Sequence, residues 1–339
     1  MRHYSIWLKK HDSRGNQILN DLQSYKREVM EIKDKIYDKD LILPIDAEQD
    51  HEIDPDFRLC FVDGGESNKE LLGASVYFIR ASALLWKDQT EFIRDLDMGV
   101  IDYDEHTKER VELLRGAMEF DVAIRSVELK TPPTHIFLDG SLHVNAKKRQ
   151  IKGSEYGMYR KKLVRLMKLC REKEVSLVGV SEDSTSRLFA HYISALCYIE
   201  LPKFMTDSSI LRMLTKDRCV CYRTIQFTPY SKFASELDED LVVSFPTVYV
   251  QPTPLSNPLR IDVPEWEQNF DGIINLVLKL SKGSRYYGYP LPLYLVHLDV
   301  KIGPKLSEWN TRQLIHFISR EDPDLYDAIL RSSRKDMRF

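Results

Sequence analysis

Two short apolar runs, each ending in an aspartate and a glycine, constrain this chain more than anything else in it. Leu59–Val62 leads into Asp63-Gly64-Gly65, and His135–Leu138 leads into Asp139-Gly140-Ser141. A short apolar run closed by a turn signal reads as a buried strand. Glycine beside the carboxylate lets backbone or ligand approach closely. Each aspartate is therefore expected at the C-terminal end of a strand. After the first, a polar turn should hand over to a second strand, Ala74–Ala81, folding back on Leu59–Val62, with Leu84–Trp86 extending the sheet. Two strands that deliver an Asp to the same end of a sheet can form a divalent-metal site.

Strand and helix signals alternate along the rest of the chain, which argues for an α/β fold. Phe92–Tyr103 reads as a strand and loop, and a long helix is expected from about Glu105 to Val127. Val111, Leu114, Met118 and Val122 mark one apolar stripe on it; Leu113, Ala117, Phe120 and Ile124 mark another, so the helix is well buried. Glu119 shares a narrow polar and small strip with Glu112, Arg115, Gly116 and Ala123. A buried carboxylate there needs a partner, and a bound cation or an Arg would serve. Tyr156–Glu174 reads as a basic amphipathic helix and Val175–Val180 as a strand. The polar stretch Ser181–Ser186 is suited to capping a helix over Arg187–Cys197. Further on, Thr206-Asp207-Ser208 caps a short helix, Val242–Gln251 and Leu259–Val263 read as strands, and Phe270–Lys282 and Glu308–Ser319 as helices.

Upstream of the first strand, Ile18, Leu22, Tyr25, Val29, Ile32 and Ile36 form a narrow seam on a helix from about Gln17 to Tyr37. That seam can pack on the body of the protein or on a second copy of itself. Asp38–Asp56 reads as an acidic, proline-containing linker. The expected organisation is an N-terminal helical extension and linker over 1–56 and a core over 57–303. The core is less regular around 203–258, and a C-terminal helical segment with a basic tail follows over 304–339.

With 43% hydrophobic and 30% charged residues in 339, the chain has the composition of a soluble globular protein. No apolar run approaches the about 18 residues needed to cross a bilayer. Met1–Lys10 lacks the apolar segment of a signal peptide, so a cytoplasmic protein without membrane association is expected. The five cysteines form no paired framework and fit a reducing compartment. Cys219 and Cys221 are either a zinc half-site or alternating side chains of a strand. The net charge of −3 does not announce a nucleic-acid binder. Between Asn145 and Lys173, however, eleven Lys or Arg face two Glu, directly after Asp139. This segment is either a solvated helix face or an electrostatic grip on a polyanion.

Hard divalent cations take oxygen ligands, usually a few carboxylates completed by water. Asp63 and Asp139 at strand ends, with Glu119 from the helix between them, supply such a set. Phosphodiester hydrolysis is the reaction such a set serves well.

At this point the motifs resemble a known family. VDGG (Val62–Gly65) with its following strand, ERVELLRGAMEF (Glu109–Phe120), FLDGSL (Phe137–Leu142) and GYPLPLYLVHLDV (Gly288–Val300) stand in the order and at the spacing of the NurA nucleases. The resemblance covers most of the chain from about Arg58 to Val300. It implies an RNase H-like core with a mixed central sheet and flanking helices, and Mn²⁺- or Mg²⁺-dependent cleavage of DNA. The activities implied are 5′–3′ exonuclease on single- and double-stranded DNA and single-strand endonuclease. It also implies resection of DNA ends in recombinational repair, as a homodimer working with a hexameric HerA-type ATPase. It carries over Asp63, Glu119 and Asp139 as metal-binding acids, His297 as a further ligand or water-orienting group, and Tyr289 as a phosphate contact. Without it, His297 and Tyr289 read as core residues. One departure concerns the turn after Val175–Val180, where many relatives carry a basic residue and this chain has Glu182. Lys147, Lys148, Arg149, Lys152 and Arg187 are the candidates for gripping DNA instead.

Two rival readings share the pattern. An ATPase of the actin and sugar-kinase type also places Asp-Gly turns at phosphates, but it would carry a further glycine-rich motif that these 14 glycines do not form. A non-catalytic adaptor of a DNA-end complex would have no use for three buried carboxylates, which are costly to keep.

Overall fold

A single mixed sheet carries the chain. The structure is a computed structural model describing residues 2–45, 54, 56–71, 74–86, 90–143, 146–151, 153–182, 185–201, 205–216, 221–229, 244–282 and 288–330. Its strands are β1 (Ile42–Pro44), β2 (Leu59–Glu70), β3 (Ser75–Trp86), β4 (Thr90–Ile101), β5 (His135–Asp139), β6 (Ser176–Ser181), β7 (Tyr222–Thr224), β8 (Thr247–Gln251) and β9 (Leu259–Asp262). Their spatial order is β1-β7-β8-β9-β6-β5-β2-β3-β4. The β2–β5 and β5–β6 pairs are parallel and the others antiparallel. The helices are α1 (Arg2–Glu31), α2 (Lys33–Asp38), α3 (Thr107–Val127), α4 (Ala146–Arg149), α5 (Ser154–Glu172), α6 (Leu188–Cys197), α7 (Asp207–Thr215), α8 (Phe270–Ser281), α9 (Leu291–Val300), α10 (Pro304–Glu321) and α11 (Pro323–Leu325).

Strand alternation sorts the core into two layers. Cys60, Val62, Ile136, Leu138 and Leu177 face α3 and α5. Leu59, Phe61, Phe137, Val178 and Val180 face the other way, against α8 and α9. The helices on both faces of the central parallel strands explain why β5 and β6 are almost continuously apolar. A third cluster, under the β7–β8 end, holds α6, α7 and the C-terminal part of the α1 seam: Val29, Ile32 and Ile36.

Several expectations change. The first strand does not stop at Asp63-Gly64-Gly65 but runs on to Glu70, paired throughout with β3. No polar turn follows the glycines, because β3 supplies an antiparallel partner for every residue of β2. The stretch taken as a linker contains β1, which closes the far edge of the sheet against β7. The N-terminal seam is divided: Ile18 and Leu22 are more than half exposed, whereas Val29 and Ile36 are fully buried. The N-terminus of α6 is held by a residue from outside Ser181–Ser186. Its first N–H groups, Phe189 and Ala190, donate to the Asp207 carboxylate, while Thr206 caps α7 as expected. Leu291–Val300, for which the sequence suggested no element, is a helix with prolines at its start, where first-turn N–H groups lack partners anyway. Cys221 lies beside β7, and Cys219, like Lys152 and the 331–339 tail, lies outside the described residues. No described helix is long and apolar enough to cross a membrane.

Candidate active site

The alternation that builds the core also aims the aspartates. On β2, Leu59 and Phe61 face α8 and α9, so Asp63 continues on that face, Gly64 turns to α3, and Gly65 turns back toward α9. On β5, Phe137 and Asp139 share the α9 face by the same count. Parallel pairing between β2 and β5 ends at Val62–Leu138, one residue before the two aspartates. They therefore stand side by side where the strands part, at the C-terminal ends of β5 and β6, a common place for ligands in α/β sheets. His297 comes from α9. One donor atom each from Asp63, Asp139 and His297 lie within 4.8 Å of one another. The His297 ring nitrogen Nδ1 is 3.1 Å from Asp63 Oδ2. Tyr289, buried just before α9, has its hydroxyl near the Asp139 carboxylate, whose charged form it favours.

The two glycines of the motif are required by close approach. A side-chain carbon on Gly64 would collide with the Glu119 carboxylate and the Arg115 stem, and one on Gly65 with the Val300 carbonyl that ends α9. Helix α9 is fastened further by Asp299, which takes two hydrogen bonds from Arg94 (2.8 and 2.9 Å) and one from Ser82. His297 is thus held over β2 by packing at Gly65 and by an ion pair two residues along its own helix.

Glu119 arrives from the opposite face, on α3, and is not one of the three mutually close donors. Its Oε1 lies 3.4 Å from Arg115 Nε. The same Nε is 3.3 Å from Glu66 Oε2, and Arg115 also donates to the Gly64 carbonyl at 3.1 Å. Asp63, Gly64, Arg115, Glu119, Asp139 and His297 line one cleft of about 830 Å³, together with Gly140, Ser141, His143, Lys148, Glu182, Arg187 and Arg260.

Burial sets the electrostatics. The Asp63 pKa is pushed up to about 8, first by desolvation and then by Asp139 and Glu119. Asp139 and Glu119 are also raised by burial, offset at Asp139 by the Tyr289 hydroxyl and His297 and at Glu119 by Arg115. Carboxylates crowded and desolvated in this way resist ionisation until a cation arrives. The donor chemistry, two carboxylate oxygens and an imidazole nitrogen with Glu119 one step away, fits a divalent ion such as Mn²⁺ or Mg²⁺.

The basic candidates divide. Lys148 lines the cleft and pairs with Glu112 at 2.9 Å. Lys147 and Arg149 lie on the same short helix, α4. Arg187 lines the cleft too, but its guanidinium also donates to the carbonyls of Met205 and Leu201. Much of the basic face of α5 is engaged with α3: Lys162 bonds Asp121, Arg165 bonds Glu128, and Lys173 bonds the Val127 carbonyl. Two cleft residues escaped the sequence reading. His143 and Arg260 reach the cleft through a buried network in which Asp262 accepts from Ser141 and Thr247 and pairs with Arg260. No local spacing links residues 141, 247 and 262. Arg115 was visible only as a neighbour of Glu119 on the helical strip.

The family model described as the NurA domain matches residues 57–302. The DNA double-strand break repair nuclease NurA of Sulfolobus acidocaldarius is 23% identical over 313 residues, 83% of each chain. That of Saccharolobus solfataricus is 22% identical over 321 residues, 88% of this chain and 90% of the relative. Among solved structures, the NurA nuclease from Sulfolobus solfataricus superposes with a TM-score of 0.65 at 18% identity, covering 94% of this chain and 98% of that one. A NurA bound to dAMP and manganese superposes at 0.57 and 13% identity, covering 87% and 94%. These structures share its fold, a large mixed sheet flanked by helices, and the match of the family model over most of the sequence shows that the chain belongs to the NurA family.

Proposed function

We propose that this protein is a metal-dependent deoxyribonuclease that hydrolyses phosphodiester bonds in the cleft between α3 and α9. The observation that carries the reading is the Asp63–Asp139–His297 trio, whose donor atoms lie within 4.8 Å of one another at the floor of a wide cleft. Family relatives bearing the name nuclease, and a related structure with dAMP and manganese, support the same chemistry. We read the sheet as RNase H-like, an antiparallel β2–β3–β4 meander followed by parallel β5 and β6.

When bound, a Mn²⁺ or Mg²⁺ ion would supply Lewis acidity and a more acidic water. Asp63, Asp139 and His297 would hold it, with Glu119 in reserve beside Gly64. Tyr289 steadies Asp139 through its hydroxyl and keeps that carboxylate turned into the cleft. His297 stands at the open side with its ring nitrogen against Asp63, where the second nitrogen is available to orient water. Lys148, Arg187 and the α4 residues Lys147 and Arg149 provide positive charge along the DNA path, with Lys152 in the adjoining stretch; they answer for the family's basic residue, replaced here by Glu182. We extend the reading to the relatives' setting: exonuclease action in the 5′–3′ direction on single- and double-stranded DNA and endonuclease action on single strands. In this setting a homodimer works with a HerA-type hexameric translocase in resecting DNA ends for recombinational repair, in the cytoplasm.

The test is degradation of end-labelled single- and double-stranded DNA by purified protein, with Mn²⁺, with Mg²⁺ and with chelator. Wild type should cleave only with metal, and Asp63→Ala and Asp139→Ala should each lose at least about a thousandfold in rate while melting cooperatively. Absence of cleavage with either ion, even beside a HerA-type ATPase, would leave the adaptor reading standing.

A further inference from the structure

Glu119 is buried on an otherwise packed helix, and its partner is already in place. Helix α3 sets Glu112, Arg115 and Glu119 on one strip, three and four residues apart. Lys148 neutralises Glu112. Arg115, itself half-buried, lies with its Nε almost equidistant from Glu66 (3.3 Å) and Glu119 (3.4 Å). Its Nη1 is anchored on the Gly64 carbonyl, one residue from Asp63. A guanidinium is charged at every pH the protein meets. It therefore occupies, as a fixed internal cation, the space between the carboxylates of α3 and those of the strand.

A buried carboxylate is stabilised by a nearby cation, and the Glu119 oxygen turned toward the guanidinium, Oε1, is the one that lies over Gly64, the neighbour of Asp63. That oxygen rests against the position where any other residue of β2 would put a side chain, and so one residue from Asp63. Resting on the metal-binding reading above, we propose that Arg115 is a positioning residue. It withholds Glu119 from the Asp63–Asp139–His297 donors, so that a divalent ion must displace the guanidinium to gain its fourth protein ligand. Glu66 gives the displaced guanidinium somewhere to go, since it is already within ion-pairing distance. Metal uptake is thereby weakened in the resting protein, and completion of the site is tied to movement of one arginine.

The experiment is a double-mutant cycle read by calorimetric titration with Mn²⁺ alone, on wild type, Arg115→Gln, Glu119→Gln and the double variant, each checked by thermal melting. Arg115→Gln is expected to bind Mn²⁺ about tenfold more tightly than wild type, the scale of removing one nearby like charge. The double variant should fall back to the affinity of Glu119→Gln, because the gain comes through Glu119. A gain that persists without Glu119 would mean simple repulsion and overturn the positioning role, as would an affinity within twofold of wild type. Arg115→Met removes the charge while keeping an apolar stem, and serves if Arg115→Gln does not fold. Its affinity should lie above that of wild type, and an equal or lower value overturns the proposal. A wild-type protein that takes up no Mn²⁺ refutes the metal centre itself and this inference with it; measurable wild-type binding with an unchanged Arg115→Gln refutes only the inference.

Discussion

Asp63 is where the costs of the site concentrate. Its folded pKa is pushed up to about 8, well above the ordinary aspartate range, chiefly by burial. A raised carboxylate pKa means that the folded state holds its proton more tightly than the unfolded chain. Stability contributed by the neutral form is then full below the unfolded pKa and lost as pH rises toward 8. Metal-free wild type should therefore melt at lower temperature at pH 9 than at pH 6, and Asp63→Asn should abolish most of that difference. It should also raise stability at pH 9 by a few kcal/mol while eliminating cleavage, as followed by melts with chelator present. Addition of Mn²⁺ should recover the wild-type loss, and more at pH 9 than at pH 6, because the ion competes with the proton. At this scale the sequence was readable where carboxylates ended apolar runs. His297 and Tyr289 carried no local signal: the former meets Asp63 across 234 positions of chain, and only the resemblance to a family pointed to them.

Elements were legible where hydrophobic periodicity was long, as in α3, α5 and α8, and misread where glycine was the cue. A glycine pair after an apolar run looks the same whether the chain turns or a neighbouring element presses close. Here the second cause holds, and the sheet continues. Gly65→Ala should therefore act on α9 rather than on β2. The added methyl meets the Val300 carbonyl, so a loss of about 1–3 kcal/mol is expected from overpacking, with weaker Mn²⁺ binding as His297 shifts. Chemical denaturation and Mn²⁺ titration together would reveal both effects. The capping of α6 was misassigned for a related reason: a polar stretch precedes it, but Asp207, some twenty residues later, holds its end. Asp207→Ala would strand the N–H groups of Phe189 and Ala190 and take one acceptor from the Tyr249 hydroxyl, which also bonds Ser186. A cost of about 2–4 kcal/mol in denaturant melts follows.

For the whole molecule, the sheet was foreseen as mixed, whereas its far edge was not: β1 and β7 have three residues each, too few to show a period. The N-terminal seam was legible as a seam but not as two halves. Ile36→Ala should lower stability by about 2–4 kcal/mol, whereas Leu22→Ala, on the exposed half, should change it by less than about 0.5 kcal/mol. If the proposed homodimer joins along this exposed half, removal of residues 1–23 should yield a monomer by light scattering without lowering the melting temperature. The parting of β2 from β5 after Val62 and Leu138 bears on how such a site can vary. Both aspartates are rooted in backbone that is hydrogen-bonded to a strand on its other side, so neither can be shifted without unzipping the middle of the molecule. Any tuning of ion size or selectivity must come from the rim, by replacing groups on the two helices that lean over the gap, while the floor stays as it is.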